Sequence, residues 1–178
     1  MIELSNEIKN KLKNIKLFLT DCDGCLTDGG MYYTENGDEI KKFSSYDGMG
    51  MSLLRKAGIL TGIVTGEDRE LNRRRAKKLK LDFVESGCSD KGSVVRRICE
   101  DNQIALDEVV FVGDDINDLS ALQIVGVSVC PANARPEVKG VADIILETKG
   151  GDGAIREIAD MILQAQNIEN EYSKYLKQ

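Results

Sequence analysis

The chain has 178 residues, 42% hydrophobic and 30% charged, with a net charge of −6, which is the profile of one ordinary soluble domain with a proper core. No apolar run approaches the roughly 20 residues of a membrane span. The acidic balance argues against nucleic acid as the main partner, and the absence of histidine leaves acid–base work to carboxylates, Lys, Cys or Tyr.

Met1 to Lys16 reads as an amphipathic helix with Ile8, Leu12 and Ile15 on one face. It lacks the three regions of a signal peptide, so a cytoplasmic location is expected. Ile15–Thr20 is then a short apolar strand that runs into Asp21-Cys22-Asp23-Gly24. Residues i and i+2 of an extended chain share a face, so Asp21 and Asp23 repel unless a cation, a proton or a curled turn relieves them. Cys22 and Cys25 form a C-x-x-C, but no second such pair and no histidine exist to complete a metal site. Five cysteines, an odd count, argue against a disulfide framework. Met31–Thr34 and Ile40–Phe43 flank Asn36-Gly37, which predicts a β-hairpin over about residues 30–43, placed to shape a site or meet another subunit.

Helices and strands then alternate. Helices are expected over Gly48–Ala57, Arg69–Leu79, Gly92–Asn102, Asn117–Ile124 and Gly153–Gln166. Strands are expected over Ile59–Val64, Asp82–Val84, Val109–Val112, Val127–Cys130 and Asp143–Leu146. The pattern predicts the α/β class, a Rossmann-like three-layer parallel sheet in a single domain over residues 1–178.

Four polar clusters fall at the carboxyl ends of expected strands or in the loops that follow, where open parallel sheets hold their sites. They are Asp21-Cys22-Asp23-Gly24, Thr65-Gly66, Ser89-Asp90-Lys91-Gly92 and Gly113-Asp114-Asp115-Ile116-Asn117-Asp118. Each alone has an ordinary reading as a capped turn, a core-facing strand end or a solvated helix start. Together, in this order and spacing, they resemble the haloacid dehalogenase superfamily of phosphotransferases over Ile15 to about Leu163. The resemblance implies that Asp21 is a nucleophile forming an aspartyl phosphate and Asp23 the general acid and base. Thr65 and Lys91 would hold the phosphoryl group, Asp114 would ligate Mg2+ with Asp21 and the Asp23 backbone carbonyl, and Asp115 and Asp118 would support. Physical chemistry agrees: a carboxylate and a phosphate dianion repel until a hard cation intervenes. Asp23 needs a proton for the leaving alkoxide, and proximity to Asp21 is expected to raise its pKa.

About 40 residues lie between Asp23 and Thr65 and 22 between Lys91 and Asp114, too few for a cap domain. The hairpin, Tyr46-Asp47-Gly48-Met49-Gly50 and the tail from Gly150 through Glu157 resemble the capless tetrameric branch of 3-deoxy-D-manno-octulosonate 8-phosphate and nonulosonate 9-phosphate phosphatases. That resemblance implies a homotetramer with a central barrel of hairpins and sites completed by neighbouring subunits. A glycine-rich C-terminal segment (about 150–178) would reach over a site. The substrate would be a small phosphorylated 2-keto-3-deoxy sugar acid of cell-surface biosynthesis. Gly66, Glu67, Arg75 and Lys78 would bind it, with Arg73, Arg74 and Lys77 adding positive charge. The octulosonate enzymes usually read Thr-Gly-Arg where this chain has Glu67, and Lys78 eleven residues on also matches the sialic-acid-type enzymes. The lean is therefore toward nine carbons, unless Glu67 only caps the following helix. Two other readings stay open. A non-catalytic phospho-receiver leaves Asp23 without a role, and an inactive partner domain of a CMP-sugar synthetase (acylneuraminate cytidylyltransferase) is opposed by the intact Asp21, Asp23, Lys91 and Asp114.

Overall fold

The computed structural model describes residues 4–168. Its centre is a six-stranded parallel sheet, with a separate antiparallel pair beside it. In chain order the elements are α1 (Asn6–Leu12), β1 (Leu17–Thr20), β2 (Tyr32–Tyr33), β3 (Glu39–Ile40), α2 (Ser45–Lys56), β4 (Leu60–Val64), α3 (Glu70–Leu79) and β5 (Phe83–Glu85). They continue with α4 (Lys91–Asn102), β6 (Val109–Val112), α5 (Leu119–Leu122), β7 (Val127–Cys130), α6 (Pro136–Lys139), β8 (Ile144–Ile145) and α7 (Ala154–Ala165).

The sheet order is β5-β4-β1-β6-β7-β8, so the chain builds outward from β1 on one side and then crosses back to build on the other. That reversal opens a crevice at the carboxyl ends of β1, β4 and β6. Thr20 pairs with Ile63 on one side and Val112 on the other, so the loops that follow all three strands leave the sheet at one level. Continuous apolar runs bury both faces of the central strands. Phe18, Val110 and Val112 point to a layer with α1, α2 and α7, while Leu17, Leu19, Val109 and Phe111 point to a layer with α4 and α5.

All six expected strands form, some shifted at their ends. Strands expected from Asp82 and Asp143 start one residue later because these carboxylates accept from Thr61 and Ser128 on the neighbouring strands. The first helix is shorter than expected, starting after a Ser5 side chain that accepts from Ile8 N. Helix α2 begins three residues early because Ser44 caps it. Its glycines hid that start, and Gly50 is there for packing: a Cβ would sit 2.9 Å from Arg156 Cα of α7. The expected helix over 117–124 is a tight turn at Ile116–Asp118 followed by α5, and the single turn α6 was not foreseen.

The hairpin forms, but it is shorter than expected. Only Tyr32–Ile40 and Tyr33–Glu39 pair, while Phe43 bridges to Thr27 at the domain body. Lys41 and Phe43 turn inward; Met31, Tyr32, Tyr33 and Ile40 stay exposed.

Candidate active site

Asp21 leaves β1 with its N–H on Val112 O at 2.9 Å, which fixes it at the mouth of the crevice. The next residues curl at once. Gly24 takes φ +86°, and a side chain there would collide with the Asp114 carboxylate. The chain curls here and does not continue as the extended strand that would have aligned the two aspartates. Each has its own lysine. Lys91, buried at the first position of α4, lies 2.8 Å from Asp21 Oδ1, an ion pair without an aligned hydrogen bond, and donates to Asp118 Oδ1 at 2.5 Å. Asp118 is fully buried, and its Oδ2 accepts the N–H groups of Asp114 (2.8 Å) and Asp115 (3.2 Å), shaping the loop after β6. Asp23 Oδ2 accepts from Lys41 Nζ at 2.7 Å and Oδ1 from Thr27 Oγ1 at 3.2 Å. The neighbour of the Asp23 carboxylate is therefore an ammonium.

Among the described residues, Asp21, Asp114 and Asp118 each bring a carboxylate oxygen within 4.8 Å of the others. Such crowding carries an electrostatic cost. Burial, then the Asp118 charge, push the Asp21 carboxyl up to about 6 against the pull of Lys91. Burial and the charges of Asp21, Asp118 and Asp115 push Asp114 up to about 7. A hard, all-oxygen donor set whose repulsion Lys91 relieves only in part fits a small divalent cation. The C-x-x-C sulfurs stay out of that set as free thiols. Cys22 donates to Asn72 Oδ1 at 3.3 Å, and Cys25 contacts Asp114 Oδ1 at 3.7 Å.

A cavity of about 420 Å³ opens over these groups, lined by Asp21, Asp23, Thr65, Gly66, Glu67 and Asp114, with Asp115, Ile116 and Asn117 along one rim. Thr65 is buried at the end of β4, and its Oγ1 accepts from Glu67 N at 3.3 Å. Asp115 caps the turn at Ile116. Glu67 is exposed at the rim and does not cap α3; its Oε2 accepts from Arg69 Nε at 3.0 Å.

Two expected substrate residues stand apart from this cavity. Arg75 donates to Ser44 O at 2.7 Å, lies 5.2 Å over the Phe43 ring and packs beside Gly48. Lys78 is exposed on α3. The glycine-rich segment also departs from expectation. Gly150 and Gly151 pack under the Gly24–Asp28 turn of their own chain, with Gly151 N on Cys25 O at 3.1 Å, because only a residue without a Cβ fits there. Helix α7 then packs on α1 and α2, while residues 169–178 of the expected tail lie outside the described residues.

Three residues were not foreseen. Lys41 was expected only as part of the hairpin strand Ile40–Phe43; the structure buries it after β3. Asn133 clamps the active turn, donating to Gly24 O at 3.0 Å and accepting from Gly150 N at 2.7 Å. Asp47 is buried in α2, where its Oδ1 accepts from Arg156 N at the start of α7, and burial pushes its carboxyl up to about 6. The sequence marked Asp47 only as part of Tyr46-Asp47-Gly48-Met49-Gly50 and assigned it no role of its own.

Residues 67–158 match the model of the haloacid dehalogenase-like hydrolase family. The chain is 38% identical to the 3-deoxy-D-manno-octulosonate 8-phosphate phosphatase of Haemophilus influenzae over 159 residues, covering 89% of this chain and 88% of that one. It is 36% identical to the enzyme of that name from Escherichia coli K12, covering 92% and 87%. Among solved structures, that phosphatase from Moraxella catarrhalis, in complex with magnesium, phosphate and the octulosonate sugar, superposes with a TM-score of 0.93 at 36% identity over 96% of this chain and 98% of that one. The cobalt-bound form from Haemophilus influenzae gives 0.85 at 39% identity over 88% and 92%.

Proposed function

Since the chain belongs to the haloacid dehalogenase-like hydrolases and is a phosphatase, we propose that it hydrolyses the phosphomonoester of a 2-keto-3-deoxy sugar acid through an aspartyl phosphate on Asp21. The observation that carries this reading is the buried, ion-paired trio of Asp21, Lys91 and Asp118, whose Asp21 lines the cavity together with Asp23, Thr65 and Asp114. Asp21, Asp114 and the Asp23 backbone carbonyl would hold Mg2+, with Asp118 organising the loop. When bound, the cation offsets the repulsion between Asp21 and the phosphate dianion. An Asp21 oxygen attacks phosphorus, and the bond to the sugar oxygen breaks. Asp23 gives its proton to that oxygen, while Thr65 and Lys91 stabilise the charge on the equatorial phosphoryl oxygens. A water then attacks the aspartyl phosphate and yields its proton to Asp23, which releases phosphate and restores Asp21.

The relatives support 3-deoxy-D-manno-octulosonate 8-phosphate as the substrate, and the geometry of Glu67 removes part of the case for nine carbons. Its carboxylate would disfavour a substrate carboxylate, but Arg69 is already paired with it. A nonulosonate 9-phosphate stays as the second reading because Glu67 does line the cavity. The exposed Met31, Tyr32, Tyr33 and Ile40, beside exposed Tyr46 and Met49, support a homotetramer assembled through hairpins. No described helix is long and apolar enough to cross a membrane. The deciding experiment compares kcat/KM for the 8-phosphate with several 9-phosphates in Mg2+. A tenfold preference for the 8-phosphate is expected; turnover of neither class would sink the proposal.

A further inference from the structure

We propose that Lys41 is a positioning residue for proton transfer to the leaving group: it reaches from the hairpin to hold the Asp23 carboxylate toward the cavity. This rests on the reading of Asp23 as the general acid. The Lys41 side chain is 0% exposed although it follows a two-pair ribbon whose Tyr32, Tyr33 and Ile40 are exposed. A buried ammonium is retained only where it is paired, and its partners are Asp23 Oδ2 at 2.7 Å and Glu39 Oε1 at 3.9 Å. Glu39 is in turn steadied by Arg69, 3.4 Å from its other oxygen. The second Asp23 oxygen accepts from Thr27 Oγ1, and that hydroxyl is itself pinned by the N–H groups of Gly24 and Gly29 at 3.3 and 3.2 Å. Asp23 is thus held at both oxygens yet still lines the cavity. Without Lys41, one of the two holds disappears, and the carboxyl is free to leave the line of the departing oxygen.

The test uses two esters and kcat/KM, which covers the steps up to formation of the aspartyl phosphate. A sugar phosphate expels an alkoxide that needs a proton; p-nitrophenyl phosphate expels a phenolate that does not. Lys41→Met is expected to lower kcat/KM for the sugar phosphate by about 10–100-fold, within the range of general acid catalysis, and for the aryl ester by less than about threefold. Lys41→Arg keeps a cation at the pair and is expected to restore most of the loss. Should Met at this site prevent folding, Lys41→Gln and Lys41→Arg carry the same comparison. Asp23→Asn separates the two layers of the argument. If it slows both esters equally, the acid assignment fails; if it spares the aryl ester and the Lys41 variants do not, the role of Lys41 alone is overturned.

Discussion

Lys91→Met removes the cation between two buried carboxylates, and its cost should depend on pH. The ammonium lies 2.8 Å from Asp21 and 2.5 Å from Asp118, and breaking such a buried pair costs about 3–5 kcal/mol. Burial alone would pull the lysine pKa down, but the charges of Asp21 and Asp118 outweigh it and raise it, so the cation persists at any working pH. Asp21 supplies an escape. Its pKa of about 6 stands above the ordinary 3.8 even with Lys91 in place, and it rises further once the ammonium is gone. A carboxyl raised in the folded state stabilises below its unfolded pKa, and that contribution is lost as pH rises through the folded value. At pH 5 Asp21 is mostly protonated in both proteins, so the variant forgoes chiefly the Lys91–Asp118 pair. At pH 8 it must also keep an unpaired charge or bind a proton, and the two units above pH 6 correspond to about 3 kcal/mol. Urea unfolding in EDTA, followed by far-UV circular dichroism because the chain has no tryptophan, should show a loss of about 3–5 kcal/mol at pH 8 and a distinctly smaller one at pH 5. A loss below about 1 kcal/mol at pH 8, or an equal loss at both pH values, would refute the view that Lys91 neutralises this cluster.

Asn133→Ala deletes two hydrogen bonds that tie the Gly24 turn to Gly150, and it should lower stability by about 1–3 kcal/mol and weaken Mg2+ binding measured by calorimetry. Unchanged Mg2+ affinity would mean that the turn holds its shape without the clamp. Replacing Tyr33 and Ile40 of the hairpin by Glu should reduce the mass found by light scattering while the circular dichroism spectrum stays intact, since these side chains are 63% and 53% exposed in the single chain. An unaltered mass would take the hairpin out of the subunit interface.

The sheet was legible because each strand is a short apolar run ending in a polar turn, and β6 and β7 begin and end where the pattern says. The floor of the site was legible for a related reason. Asp21, Thr65 and Asp114 follow β1, β4 and β6, and in-register parallel pairing brings such strand ends together. Lys41 was not legible, since strand alternation from Ile40 puts no requirement on it; its burial comes from the bend that joins Phe43 to Thr27. Arg75 is a different case. Its helix was right, but its guanidinium meets Ser44 O and the Phe43 ring and is not part of the cavity lining, and helical periodicity carries no information about that. The glycine-rich segment was expected to reach over a site, whereas at Gly150 and Gly151 the lack of a Cβ serves close packing against the Gly24–Asp28 turn.

The charges on the cavity floor also fix an order of binding. Asp21, Asp23, Asp114 and Asp118 face two ammoniums, Lys41 and Lys91, so these six side chains, when fully ionised, carry an excess of two negative charges. A phosphate dianion meets the same sign of charge, and in a partly desolvated cavity such repulsion is weakly screened. The raised Asp21 and Asp114 carboxyls, at about 6 and about 7, express that excess in the protein alone. One divalent cation matches it, so phosphate should bind only after the cation above pH 7. Titration calorimetry with inorganic phosphate at pH 8 should give no measurable heat in EDTA and clear binding in Mg2+. Protons can take part of the cation's place as Asp21 and Asp114 acquire them, so lowering the pH toward 5 in EDTA should bring back weak phosphate binding. Equal affinity with and without Mg2+ at pH 8 would show that other cationic groups, and not the charge balance of these six side chains, govern anion capture.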